Sequence, residues 1–229
     1  MPLTTVTTEK GDGWALLSLS SPAGLNKLGS DTLIPMLEEI RTNLFDGCQC
    51  LGITGVGDSF AVGADLNEID GLTPATAREF SDLGNSIFRL LENSDTMIVA
   101  GIDGFCLGGG LDLALAADWR IATSRSVFGH PGADLGLITG FGGTQRLPRL
   151  IGASRAVSWL YTAERVGAAE AYAAGLLQEI CDGDDFRDVL IQRIRNFAGL
   201  APEWISDVKR RFRYHSDGWL DNGVARVWF

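Results

Sequence analysis

Between residues 47 and 118 the chain alternates strand-length apolar runs with helix-length amphipathic stripes, and few folds accept that order. "CLGITG" reads as a buried strand. "TPATAREFSDLGNSIFRLLENS" follows as a helix with Thr73 as N-cap, Pro74 at the first helical position and an apolar stripe of Ala77, Phe80, Leu83, Ile87 and Leu90. "TMIVAGIDG" is a second strand and "GGGLDLALAAD" a second helix. Strands separated by helices pair in parallel, so the alternation predicts βαβ units in an α/β fold. Upstream, "TTVTTEKGDGWALLSLSSP" reads as a hairpin around Gly11, Asp12 and Gly13, and "SDTLIPMLEEIRTNLF" as a helix capped by Ser30 or Asp31. From about residue 142 the pattern turns helical, with segments beginning near Ser154, Ala168, Asp185 and Ala201 and a candidate extra strand at "LLQEI". With 229 residues, 45% of them apolar, one α/β domain with a sizeable core is the simplest reading.

Charge and cysteine usage exclude several function classes. A net charge of −10 opposes attraction to nucleic acid or to an anionic membrane, so an anionic ligand needs local cations. Lys27, the arginines of "TQRLPRLIGASR" (Arg146, Arg149 and Arg155) and the cluster Lys209, Arg210, Arg211 and Arg213 are the candidates, the last equally readable as a solvated helix face. Cys48, Cys50, Cys106 and Cys181 are too scattered for a disulfide scaffold or a zinc site and read as small buried hydrophobes. The two histidines, His130 and His215, lie far apart, and no metal site is expected. No stretch approaches ~20 uninterrupted apolar residues, and the N-terminus lacks a charged and apolar leader; a cytoplasmic location is expected.

In a parallel sheet the loops at strand C-terminal ends form the ligand crevice, and two of them stand out. One is "GDSFAVGADLNEID" and the other "GFCLGGGLD". Both place glycine and small residues where the backbone leaves a strand, so that main-chain N–H groups can face a ligand. The three glycines also open a helix whose dipole favours an anion. Glycine weakens a helix by roughly 1 kcal/mol relative to alanine, so a run of three signals a backbone requirement. Two readings fit: an oxyanion site, or close helix–strand packing. Nucleotide-loop spacings G-x-x-x-x-G-K-[ST] and G-x-G-x-x-G are absent, as is the hydrolase elbow G-x-S-x-G.

The ordered set "FAVGADLNEI", "GFCLGGGLDLALAADWRIAT", "FGHPGADLGLITGFGGTQRLPRLIG" and "AAEAYAAGLLQEI" resembles the crotonase superfamily, which holds enoyl-CoA hydratases and isomerases. The likeness runs from about residue 3 to the end. It implies a crotonase-like spiral of ββα units over residues 1–195 and a shortened helical C-terminal trimerisation region over 196–229. It further implies a coenzyme A thioester substrate of the kind met in fatty acid metabolism, no tightly bound cofactor, and assembly as a homotrimer or dimer of trimers. The oxyanion hole falls on the backbone N–H groups of Ala64 and Gly109. Leu25, Ala61, Asp65 and Leu66 line the adenine pocket by the same resemblance, and Lys27 contacts phosphate. Members of the family continue beyond "ARVWF" through a helix that closes the CoA site, and by this resemblance that lid is expected to be missing.

Hydratases of this family carry two glutamates. At the first position this chain has Asp112, readable also as a helix-dipole partner; at the second it has Gly132. Three replacements are open. Asp134 lies two residues on and, in extended geometry, points to the same side as position 132, although it could equally cap a turn. His130 carries an imidazole, a side chain that can give or take a proton, although beside Pro131 it could be a structural contact. An exogenous anion such as bicarbonate could sit over Gly132, as in the naphthoate-synthase branch. An acid eight residues further along, used in other branches, is excluded by Gly140. The expected function is double-bond isomerisation or hydration of an enoyl-CoA through a thioester enolate, with Asp112 moving the proton. The alternatives are C–C bond cleavage, by a decarboxylase or β-diketone hydrolase, and a non-catalytic CoA-binding relative.

Overall fold

The computed structural model describes residues 3–181 and 185–214. The predicted hairpin is present as β1 (Thr5–Gly11) and β2 (Trp14–Ser20), and Gly13 takes the positive φ of +70° that its turn needs. Then come α1 (Ser30–Phe45), β3 (Cys50–Val56), β4 (Ser59–Ala61), α2 (Leu66–Asp70) and α3 (Pro74–Asn93). The chain continues through β5 (Met97–Ile102), β6 (Phe105–Leu107), α4 (Gly109–Leu115), β7 (Trp119–Thr123), β8 (Val127–Gly129) and α5 (Gly132–Leu135). The remainder is α6 (Gly143–Ile151), α7 (Ala153–Thr162), β9 (Val166–Gly167), α8 (Ala168–Ala173), β10 (Glu179–Cys181), α9 (Phe186–Ala198) and α10 (Pro202–Tyr214).

Two sheets result, one ordered β1-β2-β3-β5-β7-β10 and the other β4-β6-β8-β9. Three successive units each give a long strand to the first sheet and a three-residue strand to the second before turning into a helix, which makes a spiral of ββα units. The long strands β3, β5 and β7 run parallel, as the alternation predicts. The "LLQEI" segment does supply β10, paired with β7.

Side-chain alternation on β2 divides the core. Leu17 and Leu19 face the buried stripes of α1 and α3 (Leu33, Met36, Ile40, Ile87, Phe88 and Leu91). Leu16 faces the opposite way, onto Leu190, Ile194 and Ala198 of α9. The boundary expected between residues 195 and 196 falls inside α9, whose stripe of Leu190, Ile194 and Ala198 packs on the first sheet.

Helix starts follow two different rules. Thr73 caps α3 as predicted, in a reciprocal capping box with Thr76. At α1 the expected side-chain cap is replaced: Gly29 holds the N-cap position, and Glu68 of α2 accepts the Ser30 N–H at 2.9 Å as well as the Ser30 hydroxyl. A tertiary carboxylate thus serves an orphan donor that a local side chain normally satisfies.

The basic cluster on α10 divides as well. Lys209 is buried; its ammonium lies 2.6 Å from Asp118 and donates to the Thr96 carbonyl at 2.6 Å. It ties α10 to the sheet, and its charge is committed there and not to an anionic ligand. Arg146 is likewise buried, with its guanidinium bidentate on Glu92 and bonded to the Phe141 carbonyl. Cys50 and Cys106 are buried free thiols, and desolvation pushes both upward in pKa. Among the described residues no helix is long and apolar enough to cross a membrane.

Candidate active site

The two loops singled out in the sequence meet at one point. The segment 61–64 leaves β4 along the chain that precedes α1, and Asn26 fastens them. Its amide N–H donates to Ser59 Oγ, its side-chain NH₂ to the Ser59 and Phe60 carbonyls, and its own carbonyl accepts from Val62 N–H. Leu28 N–H closes the set on the Gly63 carbonyl at 2.8 Å. A fully buried asparagine with this many backbone partners positions a loop, and nothing in local spacing distinguishes it from a turn residue.

The three glycines of the second loop answer different demands. Gly108 has φ +53°, a conformation L side chains rarely adopt. Gly110 packs on β4 so closely that a Cβ would lie 2.1 Å from the Ala61 carbonyl oxygen. Helix–strand packing is therefore the reason for Gly110. At Gly109 a Cβ would lie 3.5 Å from Ala64 N and 2.8 Å from the Phe141 ring; a Cβ on Gly63 would lie 3.2 Å from Gly109 N. The Ala64 and Gly109 amides are thus neighbours beside the N-terminus of α4. Among the described residues neither donates to a backbone carbonyl. Phe141, packed on Phe80 and Phe88, walls this spot with apolar surface, which strengthens any electrostatic contact made there.

Asp112 stands three residues after Gly109, on the same side of the helix. It is completely buried. The Thr139 hydroxyl accepts from Phe141 N–H and donates to Asp112 Oδ2, which fixes both the rotamer and the acceptor role of that oxygen. Asp112 Oδ1 lies 3.0 Å from His130 Nε2, and His130 is itself only 4% exposed. Neither Oδ1 nor Nε2 has a hydrogen-bond partner of proper geometry, at a cost of roughly 1–3 kcal/mol for a buried polar group left unmade. The backbone makes room for this pair at Gly143, where a Cβ would fall 1.9 Å from Oδ1 and 2.8 Å from Nε2. Thr139 and Gly143 were not singled out in the sequence, because their roles depend on a loop folding back over α4.

The other expected positions separate from this cluster. Asp134 is exposed. The expectation that it shares a side with position 132 fails because residues 132–135 form the helical turn α5, where residues two apart point about 200° away from each other. Gly132 is held by its surroundings: Leu137 N–H returns to its carbonyl, and a Cβ would meet the Leu137 oxygen at 2.3 Å. An anion over Gly132 would face that same partially negative oxygen, so the bicarbonate arrangement is not supported. Ala61 is buried, while Leu25 and Leu66 are exposed. Lys27 pairs with Asp65 at 3.1 Å beside a cleft of about 290 Å³, whose lining also includes Asp31 and Glu68. Desolvation is the largest single influence on Asp65, but its bonds to Lys27 and Asn67 together outweigh it and hold the carboxyl below the usual range. A phosphate reaching Lys27 must compete with that carboxylate.

Comparison with known proteins agrees with this architecture. The family model described as enoyl-CoA hydratase/isomerase matches residues 9–224. The chain is 40% identical over 193 residues to a crotonyl-CoA hydratase of Syntrophomonas wolfei, spanning 83% of this chain and 73% of that one. It is 36% identical over 205 residues to a short-chain-enoyl-CoA hydratase of Clostridium acetobutylicum, spanning 88% and 78%. Among solved structures, an enoyl-CoA hydratase from Thermoplasma volcanium superposes with a TM-score of 0.88 at 30% identity, covering 93% of this chain and 85% of that one. Pseudomonas aeruginosa DspI gives 0.87 at 31%, covering 93% and 81%.

Proposed function

The chain belongs to the enoyl-CoA hydratase/isomerase family, and from that premise we propose that the Ala64 and Gly109 amides bind the thioester oxygen of an enoyl-CoA while Asp112 moves the proton at the neighbouring carbon. Coenzyme A enters as part of the substrate. The observation that supports the reading is a pair of neighbouring amides, neither donating to a backbone carbonyl among the described residues, beside the N-terminus of α4, with a buried carboxylate one turn further on.

Charge on the thioester oxygen grows as the α-carbon becomes an enolate. Two fixed amides there stabilise the transition state more than the ground state, and losing one such donor costs on the order of 10²–10³ in rate. Asp112, with Oδ2 committed to Thr139, offers Oδ1 to the substrate.

A panel of acyl-CoA thioesters, analysed by mass spectrometry, tests the proposal. Conversion of 2-enoyl or 3-enoyl thioesters is expected. Turnover confined to malonyl-type or β-keto thioesters would replace it with C–C cleavage, and no turnover of any member by folded protein would end it.

The variant Gly143→Ala probes the same geometry without removing a polar group. Its methyl must push the Asp112 carboxylate and the His130 ring aside, and a displacement of about 1 Å costs about 10²-fold in rate. Wild-type kcat in this variant would mean that the chemistry lies elsewhere.

A further inference from the structure

We propose that His130 is the second proton-handling group of this site, and that Asp112 and His130 act as a pair to hydrate an enoyl thioester. The inference rests on the oxyanion and Asp112 reading above and specifies its reaction.

Four observations carry it. First, the second carboxylate that a two-acid hydration requires cannot come from position 132, where the Leu137 carbonyl oxygen occupies the side-chain direction, nor from exposed Asp134. Second, His130 reaches the catalytic carboxylate directly, with Nε2 3.0 Å from Asp112 Oδ1, both side chains at least nine-tenths buried. Third, these two facing atoms lack a properly directed hydrogen bond, so each keeps an unused direction for a third partner. Fourth, Thr139 clamps the other carboxylate oxygen. A clamped, short aspartate is poorly suited to carrying a proton alone from one substrate carbon to another two bonds away, as isomerisation demands. Beside an imidazole it is suited to serving two adjacent atoms. Cys106 also feels the Asp112 charge, but burial and that charge push its thiol upward, so it stays protonated and takes no part.

The chemistry balances within the pair. One member takes a proton from the attacking water as the water oxygen bonds to the β-carbon. The π electrons of the C=C bond move toward the thioester, whose oxygen is held by Ala64 and Gly109. The other member gives a proton to the α-carbon as the enolate collapses. The base has then gained one proton and the acid has lost one. Once product has left, the base releases its proton to solvent and the acid takes one up, which restores both groups with no net change in protons.

The decisive experiment is hydration of crotonyl-CoA by wild type and His130→Gln, with thermal midpoints recorded for both. The expected result is a kcat lower by about 100-fold, the scale of one general acid or base, with KM changed by less than about threefold. A variant that folds and keeps more than about one third of wild-type kcat overturns the role of His130 while leaving Asp112 in place. Wild type that isomerises 3-enoyl-CoA but hydrates nothing also overturns it, and wild type inert toward every enoyl thioester removes the reading beneath it. If His130→Gln does not fold, wild type labelled with ¹⁵N-histidine decides. The chain has two histidines, and His215→Gln assigns their signals. The His130 ring resonance must shift when 3-hydroxybutyryl-CoA is added, and an unmoved resonance overturns the proposal.

Discussion

Asp112→Asn is expected to lower enoyl-CoA turnover by about 10²–10⁴-fold while leaving the fold and thioester binding nearly intact. The substitution conserves shape. An asparagine oxygen can still accept from the Thr139 hydroxyl, and its NH₂ can face His130 Nε2, so the buried site loses no partner and needs no repacking. The Ala64 and Gly109 amides are backbone groups that the change does not reach, so the thioester oxygen keeps its donors. What disappears is a base. Steady-state kinetics should show the deficit in kcat with KM little altered, and the thermal midpoint should stay within about 2 °C, the shift that a few tenths of a kcal/mol up to 1 kcal/mol produce at this chain length. A loss smaller than about tenfold would reassign proton transfer to another group. This result also separates the two halves of the site: a variant that binds but does not turn over isolates the oxyanion donors from the acid–base pair.

Long elements were legible because they contain several periods of their own pattern. The twenty residues of α3 repeat the helical stripe many times and open with Thr73-Pro74, and both strands of the first hairpin flank a glycine turn. The strands β4, β6 and β8 were not legible from the residues, since three residues hold less than two alternation periods. Backbone pairing between successive units makes them strands. Residues 132–135 misled for the opposite reason. The expectation for Asp134 rested on extended geometry, whereas Gly136 at φ +65° closes a helical turn that brings Leu137 back onto Gly132.

The site was legible where backbone geometry demanded a residue type and obscure where a tertiary contact did. Gly108 and the Gly63–Ala64 loop advertise themselves through positive φ and close approach, and Asp112 follows them on the same helix. The contact between Asp112 and His130 spans 18 positions and two different units of the spiral, so no spacing rule connects them. Asn26, Thr139 and Gly143 matter only because loops distant in sequence close over α4. Charges behaved in the same way. A lysine or arginine in the sequence is an available cation, and only the fold reveals that Arg146 and Lys209 are already committed to internal carboxylates.

Lys209→Met should therefore destabilise the protein strongly and leave its chemistry alone. Lys209 is 6% exposed and Asp118 25%, and their 2.6 Å contact joins α10 to the start of β7. Methionine keeps the apolar stem but abandons the Asp118 carboxylate together with the Thr96 and Leu91 carbonyls, while the Ile98 amide still donates to Asp118. Breaking a buried pair from one side costs about 3–5 kcal/mol, or roughly 6–20 °C in thermal midpoint for a chain of this size. The pH dependence has a definite sign. Burial already pushes the Asp118 carboxyl above its ordinary range, with Lys209 offsetting part of that, so removing Lys209 raises it further. A carboxyl raised in the folded state costs stability as pH rises through and above the unfolded value of about 4. The deficit of Lys209→Met should accordingly be smaller at pH 5 than at pH 8. Asp118→Asn introduced beside it should recover part of the loss by removing the stranded charge, a coupling that a double-mutant cycle reads directly. A midpoint lowered by less than about 2 °C would show that α10 is held by its apolar face and not by this ion pair.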